Sequence, residues 1–146
     1  MTDNLVEFTE KFLTWLNANS LYKTVGITVE GASRGTARAR MEPNPALCWP
    51  FAGQPHGGIL FAFMDTTMAC AVLSERELGF NCWTINSDIQ YTAPAKGKRF
   101  TCEAHTTYKT GRMSFVRAEI YDEEGTLLAT GQATFRMVKD DFAWDM

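Results

Sequence analysis

What is scarce in this sequence narrows its function before any motif is read. Its 146 residues hold four cysteines, Cys48, Cys70, Cys82 and Cys102, with no C-x-x-C pair. That spacing argues against a zinc site and a disulfide framework, so no metal is expected and the thiols read as reduced and mostly buried. Basic charge is also short, the net value being −3. Nucleic acid is therefore not an expected partner, and no segment is spare for a helix-turn-helix. No apolar run reaches the roughly 18 uncharged residues that cross a bilayer, and the opening MTDNLVEFTE is acidic where a signal peptide is basic. The expectation is a cytoplasmic protein without membrane contact. It should form one domain over residues 1–146, with a core at about 22–138.

Periodicity supplies the elements. Leu5, Phe8, Phe12, Trp15 and Leu16 recur at helical spacing, which predicts an amphipathic helix over 4–18 with Thr2, Asp3 and Asn4 as candidate caps. GITVEGASRGTARARM, residues 26–41, reads as two short strands joined near Ala32 to Arg34. NPALCWPFAGQP has three prolines and can only be a loop leading to His56. Residues 57–76 are apolar on all sides, which predicts a helix wrapped by other structure, with Gly79 as its C-cap. Four strand-like stretches follow: NCWTINSDIQYTA, RFTCEAHTTYKT, RMSFVRAEIYD and TLLATGQATFRMV. Short breaks separate them, so each is expected to pair antiparallel with the next. The fold class is α+β, a curved antiparallel sheet wrapped around a long central helix, with an N-terminal helix. The tail KDDFAWDM carries no pattern.

One acid breaks the apolar run HGGILFAFMDTTMACAVL. A buried carboxylate is costly unless it is bonded, so Asp65 either has a structural partner or does chemistry. A structural partner could be Thr66, Thr67 or a neighbouring strand.

HGGILFAFMD at 56–65, IQYTAPAKGK at 89–98 and GRMSFVRAEIYDEEGTLLATGQATF at 111–135 resemble the hotdog-fold acyl-CoA thioesterases of the phenylacetate-pathway (PaaI-like) branch. The resemblance spans roughly residues 22–138. It implies the hotdog fold, hydrolysis of an acyl-CoA thioester between two subunits, and coenzyme A as part of the substrate rather than a cofactor. It also matches Thr84 to a small hydroxyl residue that orients the attacking water or the acid. One position departs: where many members carry an Asn that helps bind the carbonyl oxygen, this chain has Pro50, which offers no donor. That contact is missing, displaced to Gln54, or replaced by water.

The residues themselves fit that chemistry. Gly57 and Gly58 open a helix, where the first N–H groups lack intrahelical acceptors and no Cβ keeps a substrate oxygen away. The Gly57 amide is the expected oxyanion donor, and Asp65 the general base or nucleophile. Apolar surroundings should raise the pKa of Asp65. Eight residues of helix put these two groups about 12 Å apart, so one thioester can meet both only if two helices run antiparallel. A homodimer with two shared sites follows, with pairing of dimers left open.

Plainer roles stand beside these. His56 suits a structural role at the helix start, and the glycines could form only a tight turn. Thr84 could be merely a good strand former. Phe61, Phe63, Met64 and Met68 are expected in the core or dimer interface. Trp49, Phe51 and Trp83 are candidates for the acyl pocket. Lys96, Lys98, Arg99 and Arg112 are solvated surface or, near the site, a patch for coenzyme A phosphates. Two other functions compete: a non-catalytic acyl-CoA sensor, and a dehydratase or hydratase using His56 or His105 with an acid.

Overall fold

The computed structural model describes residues 5–49 and 54–140. In chain order the elements are α1 (Glu10–Asn17), α2 (Ser20–Val25), β1 (Ile27–Ser33), β2 (Thr36–Met41), a 3-10 turn (Pro45–Leu47), α3 (Gly57–Leu73), β3 (Phe80–Tyr91), β4 (Phe100–Thr110), β5 (Met113–Asp122) and β6 (Leu127–Lys139). One antiparallel sheet carries all six strands in the order β1-β2-β4-β5-β6-β3 and curves around α3. This is the expected hotdog architecture. No helix among the described residues is long and apolar enough to cross a membrane.

The N-terminal helix is shorter than its periodicity predicts. It starts at Glu10 because Thr9 caps it, Oγ1 accepting from the Phe12 amide at 3.1 Å. Leu5 instead bridges Glu77 in extended pairing, and Phe8 packs edge-to-face on Phe12 with 4.7 Å between ring centroids. The candidate caps Thr2, Asp3 and Asn4 lie outside the described residues. Asn19 breaks the helix by capping α2. Phe12 and Leu16 enter the core, and Asn17 docks α1 on β1 by bonding both the N–H and the C=O of Val29. The β1–β2 hairpin turns at Arg34 and Gly35, both at positive φ, slightly later than the expected join at Ala32 to Arg34, because Ala32 and Ser33 still pair with Ala37 and Thr36.

Two expectations need correction. First, α3 ends at Leu73 rather than residue 76, because Ser74 caps it and its hydroxyl bonds the Ala71 carbonyl at 2.7 Å. Gly79, at φ 89°, turns the chain into β3 instead. Second, β3 does not pair with β4. Its ladder is with β6, from Phe80↔Lys139 to Tyr91↔Ala129, while β2 holds the other edge of β4. The link over 92–99 is short but does not form a hairpin. Thr92 and Ala93 donate to the Leu128 carbonyl on β6, and Pro94 follows without an N–H, so the link crosses the sheet end rather than folding back.

The core lies between α3 and the sheet. Phe63, Met64, Met68 and Val72 of α3 meet Ala39, Met41, Phe100, Cys102, Ile120, Leu128 and Phe135. The four cysteines are free, Cys70 and Cys102 buried and Cys48 and Cys82 partly so. One stripe of α3 is not buried by this chain. Gly58, Ala62, Asp65 and Ala69, spaced so as to share one helix face, stay partly or fully exposed.

Candidate active site

The site begins where the proline-rich loop closes. Cys48 bridges Pro55, and the Trp49 amide donates to the Gln54 carbonyl at 2.7 Å, forming a stem that delivers His56 to the helix start. Pro50 and Phe51 lie outside the described residues. His56 caps α3 through its side chain: Nδ1 accepts the Gly58 N–H at 2.9 Å, and the ring stacks on Trp49 at 5.1 Å. This is the structural role its position suggests. It also occupies the Gly58 amide, which leaves Gly57 as the open donor of the pair. The Gly57 N–H has no acceptor among the described residues and sits at the positive end of the helix dipole.

Two turns further, the partly buried Asp65 accepts a 2.8 Å hydrogen bond at Oδ1 from the hydroxyl of Thr84 on β3. Its other oxygen has no partner among the described residues. Burial pushes the Asp65 pKa above the usual carboxylate range, and the Thr84 bond holds it back in part. Neither Thr66 nor Thr67 satisfies the acid: the Thr67 hydroxyl donates to the Phe63 carbonyl, and Thr66 lies beside the Tyr22 phenol.

A bulge in β3 makes this geometry possible. The ladder with β6 skips Ile85 between Thr84 and Asn86. Side chains alternate along a strand, so one extra residue reverses which positions face the helix. Before the bulge Cys82 and Thr84 reach α3, at the Ala69 carbonyl and Asp65. After it Ile89 packs on the core and Tyr91 donates to the Gly57 carbonyl at 2.6 Å. One strand thus serves both ends of the site.

Other predicted site residues fall elsewhere. Trp83 alternates with Cys82 and Thr84, so it projects from the opposite side of β3, 61% exposed, and does not face Asp65 of its own chain. The basic patch is divided. Lys96 and Arg99 lie in the 92–99 link that follows Tyr91, Arg99 paired with Glu42 at 3.1 Å. Arg112 is at the far end of β4, about 30 Å away by strand rise, its guanidinium 4.9 Å from the Phe80 ring centroid. His105 pairs with Thr36 and Arg117 on the sheet side away from α3. The acid–histidine pairing a dehydratase needs is absent among this chain's described residues.

Two residues were missed. Tyr91 stands inside IQYTAPAKGK, one of the stretches that carry the family resemblance. Tyr22, from α2, lies beside Thr66, and only the fold brings them together. The largest hollow described, about 650 Å³ between Phe8, Leu13 and β1–β2–β4, includes none of Gly57, Asp65 and Thr84. Nor do any three His, Cys, Asp or Glu side chains converge as metal ligands among the described residues.

Comparison with known proteins gives a consistent picture. The thioesterase superfamily profile matches residues 53–129. An inferred esterase of Halobacterium salinarum is 30% identical over 137 residues, covering 88% of this chain and 91% of the relative. A thioesterase structure from Haemophilus influenzae superposes with a TM-score of 0.84 at 20% identity, over 95% of this chain and 96% of that one. The PaaI protein of the Escherichia coli phenylacetic acid degradation operon does so with 0.76 at 19% identity, over 90% and 98%. At such identities these two structures bear on the fold alone.

Proposed function

Because the chain belongs to the thioesterase superfamily, we propose that it hydrolyses an acyl-CoA thioester to free acid and coenzyme A in a site completed by a second copy of itself. The observation that carries this reading is Asp65: a partly buried carboxylate held by one hydroxyl, with its second oxygen unbonded among the described residues. A carboxylate offers about four acceptor positions, so a single bond is poor provision for a structural acid.

In the proposed reaction the free oxygen of Asp65 takes a proton from water as the water oxygen bonds to the thioester carbon. The carbonyl electron pair moves onto oxygen, where the Gly57 N–H of the other protomer receives it. Collapse of the adduct breaks the C–S bond, and the proton returns to the departing sulfur. Direct attack by Asp65, through an anhydride, is the other route. A single turnover in oxygen-18 water separates them, because label entering the enzyme's own carboxylate excludes a pure base.

Two copies are needed because Gly57 and Asp65 of one helix stand about 12 Å apart. The stripe of Gly58, Ala62, Asp65 and Ala69 supports antiparallel pairing of α3, and the open edge of β3, with Trp83 and Ile85 largely exposed, supports pairing of sheets. Antiparallel helices would also bring Arg112 of the partner subunit toward the helix start near Lys96 and Arg99. That rejoins the divided patch for coenzyme A phosphates.

Pro50 favours a second reading, a non-catalytic acyl-CoA sensor, since proline supplies no oxyanion donor. Steady-state assay across short, medium, long and aromatic CoA esters, run with Asp65→Asn, decides. Hydrolysis lost in the variant supports the enzyme; coenzyme A binding without turnover in wild type supports the sensor.

A further inference from the structure

We infer that Tyr91 is a positioning residue that aims the Gly57 N–H; the inference rests on the thioesterase reading above. That N–H belongs to the His56–Gly57 peptide, whose carbonyl accepts from the Ile59 amide at 2.8 Å and the Leu60 amide at 3.3 Å. In the next peptide, the Gly57 carbonyl accepts the Tyr91 hydroxyl at 2.6 Å while the Gly58 N–H donates to His56 Nδ1 at 2.9 Å. Three of the four polar groups in these two peptides are therefore held. The fourth is the N–H that the reaction needs.

The Tyr91 bond is not required to satisfy an orphan. A carbonyl in the first turn of an α-helix accepts from the amide four residues on, so the phenol is an added second donor. Its base is firm: Tyr91 ends the β3–β6 ladder, and Thr92 is bonded to β6 twice, N–H to the Leu128 carbonyl at 2.8 Å and hydroxyl to the Leu127 carbonyl at 2.6 Å. The fit at Gly57 is close. A Cβ there would come within 3.2 Å of the phenol oxygen and 3.3 Å of its ring carbon, so a side chain would press the phenol back by a few tenths of an ångström. The β3 bulge has a purpose on this view, since without it Tyr91 would face away from α3. Partial burial moves the phenol pKa up, so the hydroxyl stays a donor at neutral pH.

Tyr91→Phe removes the hydroxyl alone and is the test, with Asp65→Asn run in parallel. The expected result is a kcat about ten- to a hundredfold lower, with KM within about twofold and the melting temperature close to wild type. The Gly57 amide resonance in a ¹⁵N–¹H spectrum should shift with it. An unchanged kcat overturns the inference, as does a loss matched by a fall in melting temperature. If wild type and Asp65→Asn are equally inert toward thioesters, the enzyme reading fails on its own account. An unmoved Gly57 resonance in Tyr91→Phe then overturns the clamp independently of turnover.

Discussion

The two long faces of α3 draw on similar residue types and meet opposite fates. Toward the sheet, Leu60, Phe63, Met64, Thr67, Met68 and Ala71 are buried, and the polar group there, the Thr67 hydroxyl, is satisfied inside its own helix at 2.8 Å. Away from it, Gly58 is exposed and Ala62, Asp65 and Ala69 are only partly buried, and the polar group there depends on a hydroxyl from another element. Burial and packing stabilise the first face; the second is left with acceptor capacity and small side chains. Substitutions on the two faces should therefore separate stability from turnover.

Asp65→Asn should show that separation most strongly, with kcat falling about 10²- to 10⁴-fold. Stability should move the other way. Burial raises the Asp65 pKa, so the folded chain binds this proton more tightly than the unfolded one. The resulting deficit grows as pH rises from the ordinary carboxylate range through the raised value. Asparagine carries no charge and escapes it. Thermal melts at pH 7 should place the variant at or above wild type, and a marked fall would make Asp65 a structural acid.

Ala62→Arg puts a bulky charge on the uncovered face, one turn before Asp65. Light scattering should report monomers, and activity should fall nearly as far as in Asp65→Asn. A monomer that still turns over would end the shared-site account. Met68→Ala probes the buried face, where a large-to-small change typically costs 2–5 kcal/mol. Urea unfolding should show that loss while the folded fraction keeps a nearly normal kcat.

Much of this contrast was legible in the sequence, for reasons that also mark where reading stops. The run from Gly57 to Leu73 announced a wrapped helix because its apolar residues occupy every face, and Asp65 stood out against them. The strands declared themselves by composition. Strand order did not, because linker length says how far a chain can travel but not in which direction; only the Leu128 carbonyl, bonded by Thr92 and Ala93, sends β3 to β6. The bulge at Ile85 was equally hidden, since NCWTINSDIQY shows no glycine to mark it. Without the bulge, Thr84 and Tyr91 belong to opposite faces, and so the tyrosine clamp was not seen. Helix ends slipped where a hydroxyl outcompeted the periodic signal, at Thr9 and Ser74.

The smallest effect should come from Thr84→Ala, and it sharpens the comparison most finely because it alters the acid's support without touching α3. The hydroxyl donates to the ionised carboxylate and so holds the Asp65 pKa down against burial. Removing it lets the pKa rise further, so the acid limb of the kcat/KM profile should move to higher pH. Above that limb the acid is ionised in both proteins. A remaining deficit of about tenfold would reflect lost orientation of Oδ1, in keeping with one bond to a charged group. Thr84→Ser retains the hydroxyl and should return the limb toward wild type. If the limb stays in place in Thr84→Ala, the 2.8 Å bond does not act on the ionised acid in the free enzyme, and the exposed face owes its chemistry to α3 alone.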